Sequence, residues 1–289
     1  MATSAPGTYE IAVEDVEYLR HGDKPLLARL FRPRGTGPFP MMVDLHGGAW
    51  CNSDRTGDTK VDEALARSGV VVAALDFRMP PDASYPGSLQ DVHYGIRWLK
   101  TRAGELGGRA ERVGLIGSSS GGHQAMLLAM RPADPRYAAL PAPTGAAGDA
   151  HVQCAVLCSP VIDPLGRYEY AKALKAGGPP YPDLVDRVLP CHDRFWQTEA
   201  AMAEGSPVRI LERGEAVALV PTLYIQGTND AAHPRPNLDR FVELYRQAGG
   251  HVDLALYDGQ PEGFINRSNS PAVAQAIERI VAFVHAQLG

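Results

Sequence analysis

Cysteine is scarce. Cys51, Cys154, Cys158 and Cys191 are the four in 289 residues, with no C-x-x-C pair and nothing like the density of a disulfide scaffold. Cys154 and Cys158 fall on one face of an apolar run, where free cysteine packs as a small hydrophobe, so no metal site is expected. Positive charge is short as well: 28 Lys and Arg stand against 33 Asp and Glu, a net charge of -5, which excludes a basic footprint for nucleic acid. No stretch approaches the roughly 20 apolar residues of a membrane-spanning helix. The opening MATSAPGTYEIAVEDVEYLR lacks a basic segment followed by an apolar run, so no secretory leader is read and a cytoplasmic location is expected. Internal repeats and low-complexity runs are missing too.

What is present is an ordinary globular composition, 45% hydrophobic and 21% charged, in a chain long enough for one large core. Short apolar, β-branched runs alternate with amphipathic stretches, the pattern of a mostly parallel sheet flanked by helices. MMVDLHG, VVVAALDF, RVGLIG, VQCAVLCSP, VPTLYIQG and HVDLALYDG read as strands. TKVDEALARSG, SLQDVHYGIRWLKTRAGEL, SGGHQAMLLAM, PNLDRFVELYRQAGG and PAVAQAIERIVAFVHAQLG read as helices. The opening YEIAVEDVEYLRHGDKPLLARLFRP predicts an antiparallel pair turning near HGDK. Residues 131–150, rich in Pro, Ala and Gly, read as a surface loop. Residues 161–218 are far too long for a simple crossover. The fold class expected is therefore α/β, a mostly parallel twisted sheet flanked by helices: residues 1–160 and 219–289 form the core and 161–218 an inserted lid. Tyr168, Tyr170, Tyr181, Phe195 and Trp196 of that lid could wall a pocket or pack it down, and packing is the expectation for any one of them. Arg167 and Arg194 could meet a carboxylate there, although exposed arginines commonly only solvate a surface.

Two motifs carry chemistry. In GLIGSSSGGHQAML a strand leads into G-x-S-x-G and then an apolar helix. The glycines allow the sharp turn that holds Ser119 proud of the sheet at a helix N-terminus, so Ser119 is the expected nucleophile. Upstream, VDLHGGAW ends an apolar strand on two glycines. The backbone N–H groups of Gly47, Gly48 and Ser120 would make an oxyanion hole, and Trp50 beside them is expected to line the pocket or to pack. His46 and His123 belong to these two motifs and read as structural hydrogen-bonding groups.

With these motifs the chain resembles the α/β-hydrolase fold, in particular the HGG-bearing branch that holds hormone-sensitive-lipase-like carboxylesterases and kynurenine formamidases. The resemblance runs over roughly the whole chain, through HGGAW, LDFRMPPDASYPGSLQDVHYGIRWL, GSSSGG and LYIQGTND. It implies Asp230 of IQGTNDAAHP as the triad acid and leaves a homodimer and a formamidase-like amide substrate open; the apolar, aromatic-bearing lid favours a small-molecule acyl substrate, and the chemistry needs no cofactor or metal. The family's histidine, before glycine and phenylalanine after the last strand, is replaced here: PEGF puts Glu262 in that slot. Glu262 is accordingly expected to point at Ser119 as an unusual base. An unperturbed glutamate is the weaker base by about 2 pKa units, but a buried carboxyl beside a second carboxylate titrates higher, as Glu262 beside Asp230 would. His233, three residues past Asp230 on the same loop, is the alternative partner, read otherwise as a surface histidine beside Pro234.

Three functions follow. The first is a serine hydrolase acting on an ester, lactone or activated amide through Ser119, Glu262 and Asp230. The second is a non-hydrolytic lyase or cyclase using the same pocket with a carboxylate base, and the third a ligand-binding homologue without catalysis. Fold alone does not choose among them.

Overall fold

The computed structural model describes residues 8–143 and 148–289. Residues 1–7 at the start of the leader reading, and residues 144–147 of the expected 131–150 loop, lie outside them. The chain runs β1 (Ile11–His21), β2 (Lys24–Pro33), β3 (Phe39–Leu45), α1 (Thr59–Arg67), β4 (Val71–Leu75), α2 (Gly87–Thr101), α3 (Ala103–Leu106), β5 (Gly108–Ser118), α4 (Ser120–Met130) and β6 (Ala155–Cys158). It continues with α5 (Pro164–Ala176), α6 (Leu184–Trp196), α7 (Glu199–Glu204), α8 (Pro207–Glu212), β7 (Thr222–Gly227), α9 (Arg235–Gln247), β8 (Val252–Tyr257), α10 (Phe264–Arg267) and α11 (Pro271–Leu288).

Among the described residues, eight strands form one sheet in the order β1-β2-β4-β3-β5-β6-β7-β8. β1 pairs antiparallel with β2 and β2 antiparallel with β4; every other neighbour is parallel. Each expected strand is found, and the HGDK turn joins β1 to β2. All residues of β3 and β4 are buried, because helices cover both faces of the sheet. The two-residue period sorts them: Met41, Val43 and Leu45 join one core with Leu89, Ile96 and Met126, while Met42 joins the opposite core with Leu65, Ile280 and Val284. Fully burying side chains of this size contributes roughly 1.5–3 kcal/mol each.

α9 stops where a left-handed residue is needed, with Gly249 at φ 94°. The 131–150 stretch carries no helix or strand in its described part, yet it is anchored, since Tyr137 is fully buried with its hydroxyl 2.8 Å from that of Tyr85. Four helices, α5 to α8, occupy the long connection between β6 and β7. α10, in the PEGFINR stretch, has no counterpart in the expected helices. Among the described residues no helix is long and apolar enough to cross a membrane.

Candidate active site

β5 ends at Ser118 and α4 starts at Ser120, which leaves Ser119 alone to turn the chain at φ 50° and ψ -115°. A non-glycine residue rarely holds such a backbone, and its neighbours over-determine it here. The Ser119 N–H donates to Cys158 O at 2.9 Å, and Ser119 O accepts from the N–H groups of Val161 and His123. A Cβ on Gly121 would stand 1.8 Å from Leu45 O, so only glycine lets the turn close against the end of β3. The turn presents the Ser119 hydroxyl beyond the carboxyl ends of the parallel strands.

The hydroxyl meets His233. Ser119 Oγ lies 3.3 Å from His233 Nε2, and His233 Nδ1 lies 3.0 Å from Asp230 Oδ2. The Asp230 carboxylate fixes the tautomer: Nδ1–H donates to it, and Nε2 is left to accept from Ser119. Asp230 Oδ1 also accepts from the N–H groups of Ala232 and His233, and Gln226 Nε2 donates to His233 O at 2.9 Å, so the loop after β7 is tied at both ends. Burial alone would raise the Asp230 carboxyl, but the charge and hydrogen bond of His233 and the two backbone donors hold it below its ordinary value. Such a chain can take a proton from a hydroxyl at one end while its buried carboxylate steadies the imidazolium at the other.

Glu262 does not occupy this place. It accepts from Arg267 Nη1 at 2.6 Å, on the loop before α10, and although it lines the cleft near Ser119 its hydrogen bond goes to that exposed arginine. The expectation that Glu262 would bond Ser119 and share a proton with Asp230 is corrected: Asp230 is bound by His233, on its own loop. The physical reason is that a three-residue turn after β7 already brings an imidazole between carboxylate and serine.

Gly47 and Gly48 line the cleft together with the nucleophile. A Cβ on Gly47 would come within 3.3 Å of Ser119 Cβ, and Gly48 takes φ 101° in a turn whose carbonyl accepts from the N–H groups of Cys51 and Asn52. The Trp50 N–H donates to Ser120 Oγ at 3.1 Å, which pins this loop to the start of α4. Trp50 itself does not wall the cleft. Its fully buried ring stacks on Phe195 at 5.4 Å and donates through Nε1 to His123 Nδ1. His123 in turn donates from Nε2 to Gly205 O at 2.8 Å, and His46 donates from Nδ1 to Gly47 O, so both histidines are structural as read.

The cleft above Ser119 encloses about 1030 Å³. From α5 and α6 it receives Arg167, Leu184, Val188, Pro190, Cys191 and Arg194, and not the aromatic side chains. Phe195 and Trp196 are buried against Trp50, and Tyr168 and Tyr181 pack against buried residues of the lid, so packing accounts for these four, while Tyr170 is exposed. Arg167, for which the sequence left open a carboxylate partner or a merely solvated surface, is buried. The PEGF loop reaches the cleft, as its motif suggested, and so do Asp186, Arg187 and Arg267, to which no sequence motif pointed.

Beneath the elbow lies a buried carboxyl, Asp58, which accepts from Ser118 Oγ at 2.8 Å and from Asn266 Nδ2. Burial raises it from 3.8 to about 6 despite these two donors, and burial together with neighbouring carboxylates pushes Asp44 and Asp62 well up. Between pH about 4 and about 6 the folded state therefore holds a proton on Asp58 that the unfolded chain releases, so its contribution to stability is present below pH about 4 and lost as pH rises through about 6. Asp58→Asn removes that loss. Thermal unfolding of both proteins across pH should show the variant gaining on the wild type by about 1–3 kcal/mol between pH 4 and pH 7. A constant difference across that range would overturn the assignment.

The sheet order, the strained serine between β5 and α4 and the Ser119, His233 and Asp230 chain define a protein of the α/β-hydrolase fold. Among such proteins it belongs to the BD-FAE family, whose profile matches residues 30–234. The chain is 28% identical over 255 residues to "Probable carboxylic ester hydrolase LipM" of Mycobacterium tuberculosis, covering 87% of this chain and 56% of that protein. It is 26% identical to "Esterase LipC" of the same organism, over 86% of this chain and 60% of that one. The chain thus spans little more than half the length of these relatives. An esterase structure from Pyrobaculum calidifontis superposes with a TM-score of 0.77 at 24% identity, over 96% of this chain and 86% of that one. Esterase B from Lactobacillus Rhamnosis gives 0.77 at 19% identity, over 99% and 88%.

Proposed function

We propose that this protein is a serine hydrolase that cleaves carboxylic esters through an acyl-enzyme on Ser119. The observation that carries the reading is the Ser119 Oγ to His233 Nε2 approach of 3.3 Å, continued from His233 Nδ1 to Asp230. His233 Nε2 takes the serine proton as Oγ attacks the ester carbon. The carbonyl oxygen becomes an oxyanion facing the N–H groups of Gly47, Gly48 and Ser120, where hydrogen bonds strengthen as charge develops. His233 then gives its proton to the departing alkoxide, the carbon–oxygen bond breaks and an alcohol leaves. Water repeats the sequence on the acyl-serine: His233 takes its proton, hydroxide adds, and the acid departs as Ser119 Oγ recovers the proton. The esterases among the relatives support this choice of bond, and helices α5 and α6, which line the cleft, serve as the lid. A non-hydrolytic reaction drew its appeal from the want of a histidine in PEGF, and His233 removes that motive.

The test is hydrolysis of 4-nitrophenyl acetate and labelling by a fluorophosphonate probe, in the wild type and in Ser119→Ala. The wild type should turn over and carry the phosphonyl adduct on Ser119, while Ser119→Ala loses the adduct and about 10,000-fold or more in kcat/KM. A wild type that neither labels nor turns over would sink the proposal.

A further inference from the structure

Arg167 is a buried cation without a counter-ion. It is 3% exposed on α5; its Nε donates to His192 Nε2 at 3.1 Å, its Nη1 stands 3.5 Å from His233 Nε2, and its Nη2 has no hydrogen-bond partner. Among the described residues no carboxylate forms an ion pair with it, and Glu262, Asp230 and the Cys191 thiol act on it only through their fields. Burial lowers the guanidinium to about 10, which leaves it charged at neutral pH. The face of Trp50, 5.4 Å from Cζ, offsets part of the lost hydration. An unpaired buried guanidinium is costly in a way that fixed protein partners normally relieve.

The side chain is also held still and aimed. His192 is fully buried and accepts from Arg167 Nε, so it is neutral, with its proton on Nδ1; burial and the Arg167 charge both push its pKa well down. Arg167 lines the same cleft as Ser119 and Gly48. Its Nη1 and the serine hydroxyl share one neighbour, His233 Nε2, so only a short chain of atoms separates nucleophile from cation. Arg187, Arg194 and Arg267 line the same cleft together with Asp186 and Glu262, and Arg167 is the buried cation there, without a close acidic partner.

We infer that the ester taken by this site bears a carboxylate a few bonds from its scissile carbonyl, received by the free Nη edge of Arg167. Half-esters of short dicarboxylic acids, of about succinyl or glutaryl size, are the substrate class. The inference rests on the serine hydrolase reading and adds to it what the acyl group must carry. The guanidinium fork matches a carboxylate in shape and charge, and a neutral acyl chain would leave the cation buried and unanswered.

Methanol release from monomethyl glutarate, compared with methyl 4-carbamoylbutanoate, measures the charge preference directly, because the two esters are alike in size and differ in charge. The wild type should favour the charged ester by about 10- to 100-fold in kcat/KM. In Arg167→Met that ratio should fall to about 1, with Arg167→Lys between, since the ammonium lacks the fork. Should the Met variant not fold, competitive inhibition of the wild type keeps the question answerable: glutaramate, which bears one carboxylate, should bind at least about 10-fold tighter than the uncharged glutaramide. A ratio near 1 in a wild type whose Ser119 is labelled by the fluorophosphonate overturns this inference and leaves ester hydrolysis standing. Absence of both turnover and labelling overturns the two together.

Discussion

Replacing His233 by alanine lowers kcat/KM on a short-chain nitrophenyl ester by about 10,000-fold, whereas Glu262→Gln stays within about fivefold of the wild type. The asymmetry follows from where each group spends its hydrogen bonds. His233 is 4% exposed and joins Ser119 to Asp230, and no other base among the described residues bonds the serine hydroxyl. Glu262 faces Arg267, whose side chain is 65% exposed, and loss of such a pair changes stability by less than about 1 kcal/mol. Asp230→Asn should fall with His233→Ala, because an amide in its place no longer fixes Nδ1–H toward itself and lets the imidazole present its proton to Ser119 instead of a lone pair. Parallel kinetics of the three variants check this. A larger loss in Glu262→Gln than in His233→Ala would restore the glutamate as base and remove the histidine.

That outcome was half visible in the residues. The elbow and the glycine pair are legible because each depends on local chain geometry, a strand, a turn only small residues can make, and a helix, whereas Asp230 is legible only through the family resemblance. The apolar period of β3 and β4 likewise announces a strand covered on both sides. The base is harder to read because two loops compete for one point in space. PEGF follows the last strand, where the resemblance read from the sequence leads one to expect the base, and linear position favours Glu262. Asp230 and His233 are three residues apart on a loop whose curvature depends on Gln226 holding the His233 carbonyl, a contact that no spacing discloses. Arg167 was legible as a residue and not as a buried one, since its concealment depends on how α5 and α6 pack over Trp50. The same packing hides Phe195 and Trp196, which in sequence look as fit for a pocket wall as for a core.

Gly48→Ala should lower kcat by about 100- to 1,000-fold with little change in KM, and lower unfolding stability by about 1–3 kcal/mol. At φ 101° an alanine is strained whatever the space, and there is no space: its Cβ would stand 1.9 Å from Asn52 O. That oxygen belongs to the backbone of a turn in which Cys51 and Asn52 both donate to Gly48 O, and Trp50 N–H bonds Ser120 Oγ. The loop can relieve the clash only as a unit, which carries the Gly48 N–H away from the place the proposed mechanism gives it, at the ester's carbonyl oxygen. A donor displaced in this way is missed most when the oxygen carries a full charge, so the loss falls on the transition state rather than on ground-state binding. Gly104→Ala, in α3 with nothing within 4 Å of the added methyl, should leave both constants alone and serves as the control. A raised KM with kcat kept would instead make the glycine loop a substrate wall, and the oxyanion would then need its donors from elsewhere.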